Sequence, residues 1–146
     1  MKTPIEIISY SHEHHDGVVK LWQEIFPKAL PRNEPNSVIK SKLSVQPELF
    51  FVAVQSGEVI GTVMSGYDGR RGWVYSVAVS QQHRRKGIGT ALMKHAEESL
   101  KTLGCVKINL QILTDNSDVQ EFYRILGYHI EDRISMGKQL NATRQA

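Results

Sequence analysis

Ser76-Val-Ala-Val-Ser-Gln-Gln-His-Arg-Arg-Lys-Gly-Ile-Gly-Thr90 is the stretch that decides the fold. A short apolar run ends at Val79. The basic tripeptide Arg84-Arg85-Lys86 follows, Gly87 and Gly89 flank the single residue Ile88, and an amphipathic segment begins. A strand that turns through glycines into a helix builds an anion pocket. Glycine lets backbone approach a ligand closely, the first-turn N–H groups have no intrahelical partners, and the helix dipole adds partial positive charge. Two arginines and a lysine suit that pocket to a pyrophosphate.

The spacing excludes two common phosphate loops. A P-loop places four residues between its glycines and continues Gly-Lys-Ser/Thr, which this segment lacks. A dinucleotide fingerprint has a third glycine three residues after the second, and Leu92 stands there.

Periodicity extends the reading outward. Residues 5–10 alternate as a first strand, and Val18, Leu21, Trp22, Ile25 and Phe26 recur at helical spacing over 11–26. Pro27, Pro31 and Pro35 break that pattern, and a second helix is predicted over 36–45. Strands are predicted at 49–55, 58–67 and 73–79, joined by turns at Ser56-Gly57 and Asp68-Gly69. Ile88, Leu92, Ala96, Leu100 and Leu103 form one helical stripe that Gly104 stops. A strand at 106–112, a helix at 117–126 and two last strands at 128–130 and 134–138 complete the order. The unit from 73 to 112 predicts parallel strands joined through a helix, with ligands favoured at their carboxyl ends.

A second motif follows that unit. Asn116 opens the helix that finishes Phe122-Tyr-Arg-Ile-Leu-Gly-Tyr128. Together, Arg84-x-x-Gly87-x-Gly89 and Asn116…Phe122-Tyr123-x-x-Leu126-Gly127-Tyr128 resemble the two signatures of the GCN5-related N-acetyltransferase (GNAT) family. The element order matches that fold from Ile5 to about Leu140, and the segment from Gly61 to Gly72 further resembles its YpeA-like bacterial subgroup. The resemblance implies an α+β fold. It has a central mixed, mostly antiparallel sheet of about seven strands, about four helices, and a splayed parallel pair at the cofactor site. One domain over 1–140 is expected, with a polar tail at 141–146 that frays.

The resemblance also implies roles. Acetyl-CoA is the expected acetyl donor and a primary amine the acceptor. Arg84, Arg85, Lys86 and the backbone of Gly87, Ile88, Gly89 and Thr90 would hold the pyrophosphate. Backbone groups near Val77 and Val79 would pair with the amides of the pantetheine arm as a strand edge does with a peptide. The N–H of Val77 would face the thioester oxyanion, and Asn116 would reach the cofactor besides capping its helix. Tyr123 is the candidate general acid for the departing thiolate. The base stays open. The strand before the glycines offers Tyr75 and Ser76 in place of a carboxylate, so Asp68, Glu24 or a water chain on Tyr75 and Ser76 are the candidates. Asp68 reads more readily as a turn former before Gly69 than as a catalytic group. Acceptor choice is assigned to the loop at 27–35, the second helix and the hairpin at 67–72.

Composition bounds the alternatives. The 146 residues are 40% hydrophobic and 23% charged, with a formal charge of +3, as in an ordinary globular domain. No apolar run approaches the ~20 residues of a membrane span. Cys105 is the single cysteine, which excludes an internal disulfide and points to a reducing cytoplasm. His12, His14 and His15 have no acidic or cysteine partner at ligand spacing beyond Glu13 and Asp16, so they read as an exposed helix start and no metal is expected. Two other readings stand beside acetyl transfer by direct attack in a ternary complex. One is a CoA-binding sensor or regulatory module without turnover. The other is a nucleic-acid module using His83, Arg84, Arg85, Lys86, Arg70 and Arg71, against which stands the absence of interleaved aromatic residues. Strand edges near the C-terminus leave a homodimer possible.

Overall fold

Apolar alternation produces four of the strands close to their predicted bounds. In the computed structural model, which describes residues 3–141, β1 is Glu6–Ser9, β2 Phe50–Gln55, β3 Glu58–Tyr67, β4 Gly72–Val79 and β5 Ile108–Asn109. They form one sheet in the order β1-β2-β3-β4-β5. Every neighbouring pair is antiparallel except β4 and β5, which are parallel as the strand–helix–strand unit predicts. Ser56 and Gly57 take φ of 52° and 79°, the left-handed pair that a two-residue hairpin turn between β2 and β3 requires.

Helix α1, His15–Ile25, follows a 3-10 turn at His12–His14; α2 is Pro35–Leu43, α3 Ile88–Thr102 and α4 Ser117–Ile125. The chain divides into two compact units at Leu110 and Gln111; the sheet and α1 to α3 belong to the first, α4 to the second.

In the first unit the stripe of α1 buries Val18, Leu21 and Trp22 in a cluster with Tyr10, Ile39, Phe50, Val52 and Met64. The Phe50 ring is stacked by Tyr10 at 4.7 Å and by Trp22 at 5.9 Å. Each large apolar side chain fully buried there contributes about 1.5–3 kcal/mol. Residues of β3 are buried on both faces, because α3 covers the other side. Gly61 permits that approach: a Cβ there would lie 2.9 Å from Leu92 Cδ1 and 3.2 Å from Ile88 Cγ2. Since Ile88 is the first residue of α3, this contact fixes the height of the helix entrance above the sheet. The far end of α2 is clipped to β3. Lys42 Nζ donates to Ser65 O at 2.6 Å, and the Gln46 amide pairs in both directions with the Tyr67 backbone at 2.8 and 3.0 Å.

Three expectations change. The sheet of the described residues has five strands rather than about seven. The strand predicted at 106–112 is only Ile108–Asn109, paired with Gly72 and Trp73, because β4 is bulged further along and leaves a parallel neighbour without register. The segments 128–130 and 134–138 form no ladder. Their link, Glu131-Asp132-Arg133, lacks the residues a tight hairpin needs, and Arg133 N–H closes instead on Glu131 O at 2.8 Å, two residues back. Of the tail predicted at 141–146, residues 142–146 lie outside the described residues.

Candidate active site

Two features of the first unit make its site: an uncapped helix entrance and a bulged strand with one free edge. At the entrance, Gly87 is the N-cap of α3 with φ 76°, a conformation that a side chain would strain. No side chain caps the helix and no acidic residue lies in its first turn. The N–H groups at the start of α3, on Ile88, Gly89 and Thr90, therefore keep their affinity for an anion. Arg84, Arg85, Lys86 and Gly87 are exposed around them while Ile88 is buried and anchors the loop from below. Arg85 also takes a left-handed φ of 64°. Alternating left-handed residues curl the main chain into a concavity of N–H groups. This strained arginine, which nothing in the sequence marks, adds to the glycine geometry.

The loop is braced from α1. Glu24 Oε2 accepts the Gln81 N–H at 3.0 Å, at the start of a 3-10 turn, Gln81–His83. Glu24, one of the residues that the sequence offers as a base, is thus engaged as a cap for the turn that leads into the basic residues.

Register shows how the free edge arises. Met64 pairs with Tyr75 and Thr62 with Ala78, so Ser76 and Val77 together oppose Val63. Gly72 N–H points toward β5, bonding Lys107 O at 2.8 Å, whereas Ser80 N–H points toward β3, bonding Ile60 O at 2.9 Å. In an unbroken strand residues 72 and 80 would face the same way. The inserted residue reverses the alternation and turns the backbone of Val77 and Val79 toward the β5 side. There, among the described residues, no strand pairs beyond Trp73. The outcome is a row of main-chain donors and acceptors next to the anion pocket, suited to an extended ligand carrying amides.

Asp68 sits in the turn between β3 and β4. Its Oδ1 accepts the N–H groups of Arg70 at 2.8 Å and Arg71 at 2.7 Å. These backbone bonds, with the Arg71 charge a smaller cause, hold its carboxyl below the usual range. It is a turn former with a firmly ionised carboxylate, poor at taking a proton and suited to meeting a cation. Burial, followed by the Asp68 charge, raises the Tyr75 phenol. The loop expected to choose the acceptor lines an open groove with Phe26, Leu30, Pro31 and Glu34. Two of the histidines near the N-terminus are hydrogen-bonded: His14 Nδ1 accepts the Ser11 N–H at 3.0 Å, and His15 lies between Tyr10 Oη and Asn36 Oδ1.

The second unit presents the other motif. Asn116 caps α4, its Oδ1 accepting the Val119 N–H at 3.3 Å. Tyr123 is buried, with Phe122 at 4.9 Å and Tyr128 at 5.6 Å, each edge-on. Gly127, at φ 99°, ends the helix and lets Tyr128 N–H return to Tyr123 O at 3.0 Å. Burial pushes the Tyr123 phenol up to about 12, so it stays protonated at neutral pH.

Comparison with known proteins gives these features a family. The model of the acetyltransferase (GNAT) family matches residues 15–128. The chain is 39% identical over 137 residues to an acetyltransferase of Sodalis glossinidius, covering 93% of this chain and 96% of that one. Among solved structures, Ard1 from Thermoplasma volcanium superposes with TM-score 0.77 at 23% identity, over 87% of this chain and 84% of that one. The aminoglycoside N-acetyltransferase AAC(6')-Iy, solved with CoA, gives TM-score 0.78 at 15% identity over 95% and 97%; these two likenesses concern the fold alone. The chain belongs to the acetyltransferase (GNAT) family. It is an acetyl-CoA-dependent acyltransferase.

Proposed function

We propose that acetyl transfer proceeds by direct attack of a primary amine on acetyl-CoA in a ternary complex, and that one domain over residues 1–140 performs it. The family match runs from 15 to 128 and so spans both compact units, which supports a single domain. The observation that carries the reading is the conjunction of an uncapped α3 entrance with a bulged β4 whose far side, among the described residues, pairs with no strand beyond Trp73. In this scheme Arg84, Arg85, Lys86 and the N–H groups of Gly87 to Thr90 hold the pyrophosphate. Val77 and Val79 pair with the pantetheine amides. Val77 N–H receives the oxyanion, a contribution of about 2.7–4 kcal/mol to the transition state. Asn116 contacts the cofactor, and the Tyr123 hydroxyl donates a hydrogen bond to the departing sulfur. Asp68 is assigned the acceptor's ammonium rather than the proton-accepting step, which passes to water held by Tyr75 and Ser76.

The basic loop serves the pyrophosphate in this reading and no nucleic acid. A reducing cytoplasm is the proposed compartment; no helix among the described residues is long and apolar enough to cross a membrane. A homodimer is the proposed assembly, supported by the exposed Ile130, Ile134, Met136 and Leu140.

Thiol release from acetyl-CoA, followed across polyamines, amino acids, aminoglycosides and peptide N-termini, tests the scheme. Release dependent on one amine class, with intersecting rather than parallel double-reciprocal lines, is the expected result. Tight acetyl-CoA binding without release for any amine would replace it by the sensor reading.

A further inference from the structure

The least expected residue in the site is Ser76. It takes φ 51° within β4, in the left-handed region that a non-glycine side chain disfavours. It is also the first of the two residues that oppose Val63, so the reversal that turns Val77 outward depends on it. Something must hold it there, and the structure shows what does. Thr62 Oγ1 donates to Ser76 O at 2.9 Å, and Trp22 Nε1 donates to Thr62 Oγ1 at 2.9 Å.

This relay has a fixed direction. An indole nitrogen only donates and a carbonyl oxygen only accepts, so the threonine hydroxyl takes one hydrogen bond and gives the other. Thr62 is 0% exposed and Trp22 3%. The bond between Trp22 and Thr62 is therefore closed to water, and its loss leaves a buried polar group unpaired, while the bond from Thr62 to the half-buried Ser76 carbonyl is partly open. The tryptophan is itself immobilised by α1 and its stack on Phe50. The relay thus ties the strained carbonyl to the rigid core.

We propose that Thr62, oriented by Trp22, is a positioning residue for acetyl transfer: it holds Ser76 in the left-handed conformation that aims the Val77 N–H at the thioester. The inference rests on the assignment of Val77 as oxyanion donor made above. Neither residue touches substrate. Their effect passes through the main chain, and it falls on turnover more than on cofactor binding, because the pyrophosphate pocket lies on a separate segment and keeps its hold when the pantetheine pairing at Val77 is disturbed.

The test is a double-mutant cycle with kinetics and crystal structures. Thr62→Val keeps the side-chain shape and removes the hydroxyl. It is expected to lower kcat by about 10–100-fold, since a misplaced donor loses much of its effect, with KM for acetyl-CoA within about threefold. Thr62→Ser restores the hydroxyl and recovers kcat to within about threefold. Trp22→Phe frees the hydroxyl without removing it and gives a smaller loss of the same pattern, which covers the case of a poorly folding Thr62→Val. The decisive background is Ser76→Gly, because glycine adopts positive φ without restraint; it also removes the hydroxyl assigned above to the water, so its own kcat is lower and the cost of Thr62→Val is read relative to Ser76→Gly alone. There, Thr62→Val is expected to cost less than about threefold. A Thr62→Val crystal structure in which Ser76 keeps its φ, or an equal loss of kcat in both backgrounds, would overturn the relay. A displaced Ser76 with undiminished kcat would instead remove Val77 as the donor, which separates failure of the underlying assignment from failure of the brace.

Discussion

Tyr123→Phe lowers kcat by about 10²–10³-fold while leaving KM for acetyl-CoA within about twofold. The size follows from what the leaving group needs. A thiol titrates near ~8.5 in water, and the buried phenol is pushed up to about 12. Complete proton transfer to the sulfur is therefore uphill, and the phenol acts by donating a hydrogen bond as negative charge builds there. Such a contact is made in the transition state and hardly at all with the intact thioester, so its loss appears in kcat. The same burial fixes the pH behaviour. The folded-state pKa lies above the unfolded value of about 10, so the stability linked to this group is complete below pH ~10 and declines as pH rises from there through about 12. Consequently Tyr123 gives kcat no basic limb in the ordinary assay range. Steady-state kinetics between pH 6 and 10 check both statements; a variant within about threefold of the parent kcat would contradict the donor role.

Thr90→Glu separates stability from binding with opposite signs. Thr90 is the third residue of α3, beside N–H groups that no side chain caps. A glutamate there complements the helix dipole by about 0.3–1 kcal/mol and has the better helix propensity, so the free protein becomes more stable. The same carboxylate confronts the pyrophosphate. Like charges about 6 Å apart at an effective dielectric near 20 repel by roughly 3 kcal/mol, and acetyl-CoA affinity falls about 100-fold. Calorimetric titration together with thermal melting reads both effects. Unchanged affinity in a stabilised variant would place the pyrophosphate elsewhere.

Much of this site is legible in the chain because its parts are local. Gly87 and Gly89 announce a helix entrance, and the stripe from Ile88 to Leu100 gives the helix its length and buried face. Asn116 and Gly127 mark the two ends of α4. The bulge is hidden for a physical reason: a glycine at position 76 would have signalled positive φ, whereas a serine in an apolar run reads as an ordinary strand residue. Its restraint is equally invisible, since Trp22 and Thr62 lie 40 residues apart and meet only when α1 packs on β3. Arg85 conceals its left-handed backbone in the same way. Alternation overextends the strands at the C-terminal end, because a pattern of apolar residues records the capacity to pair and not the presence of a partner. Ile130 and Ile134 have the pattern and form no ladder.

The cofactor cradle is tested most directly by following backbone amide resonances of the labelled protein during titration with CoA. Saturation is expected to shift the amides of Ile88, Gly89 and Thr90 most strongly, together with those of Val77 and Val79, and to leave β1 nearly unchanged. Saturable binding that leaves the entrance of α3 and the outer edge of β4 unshifted would contradict the account.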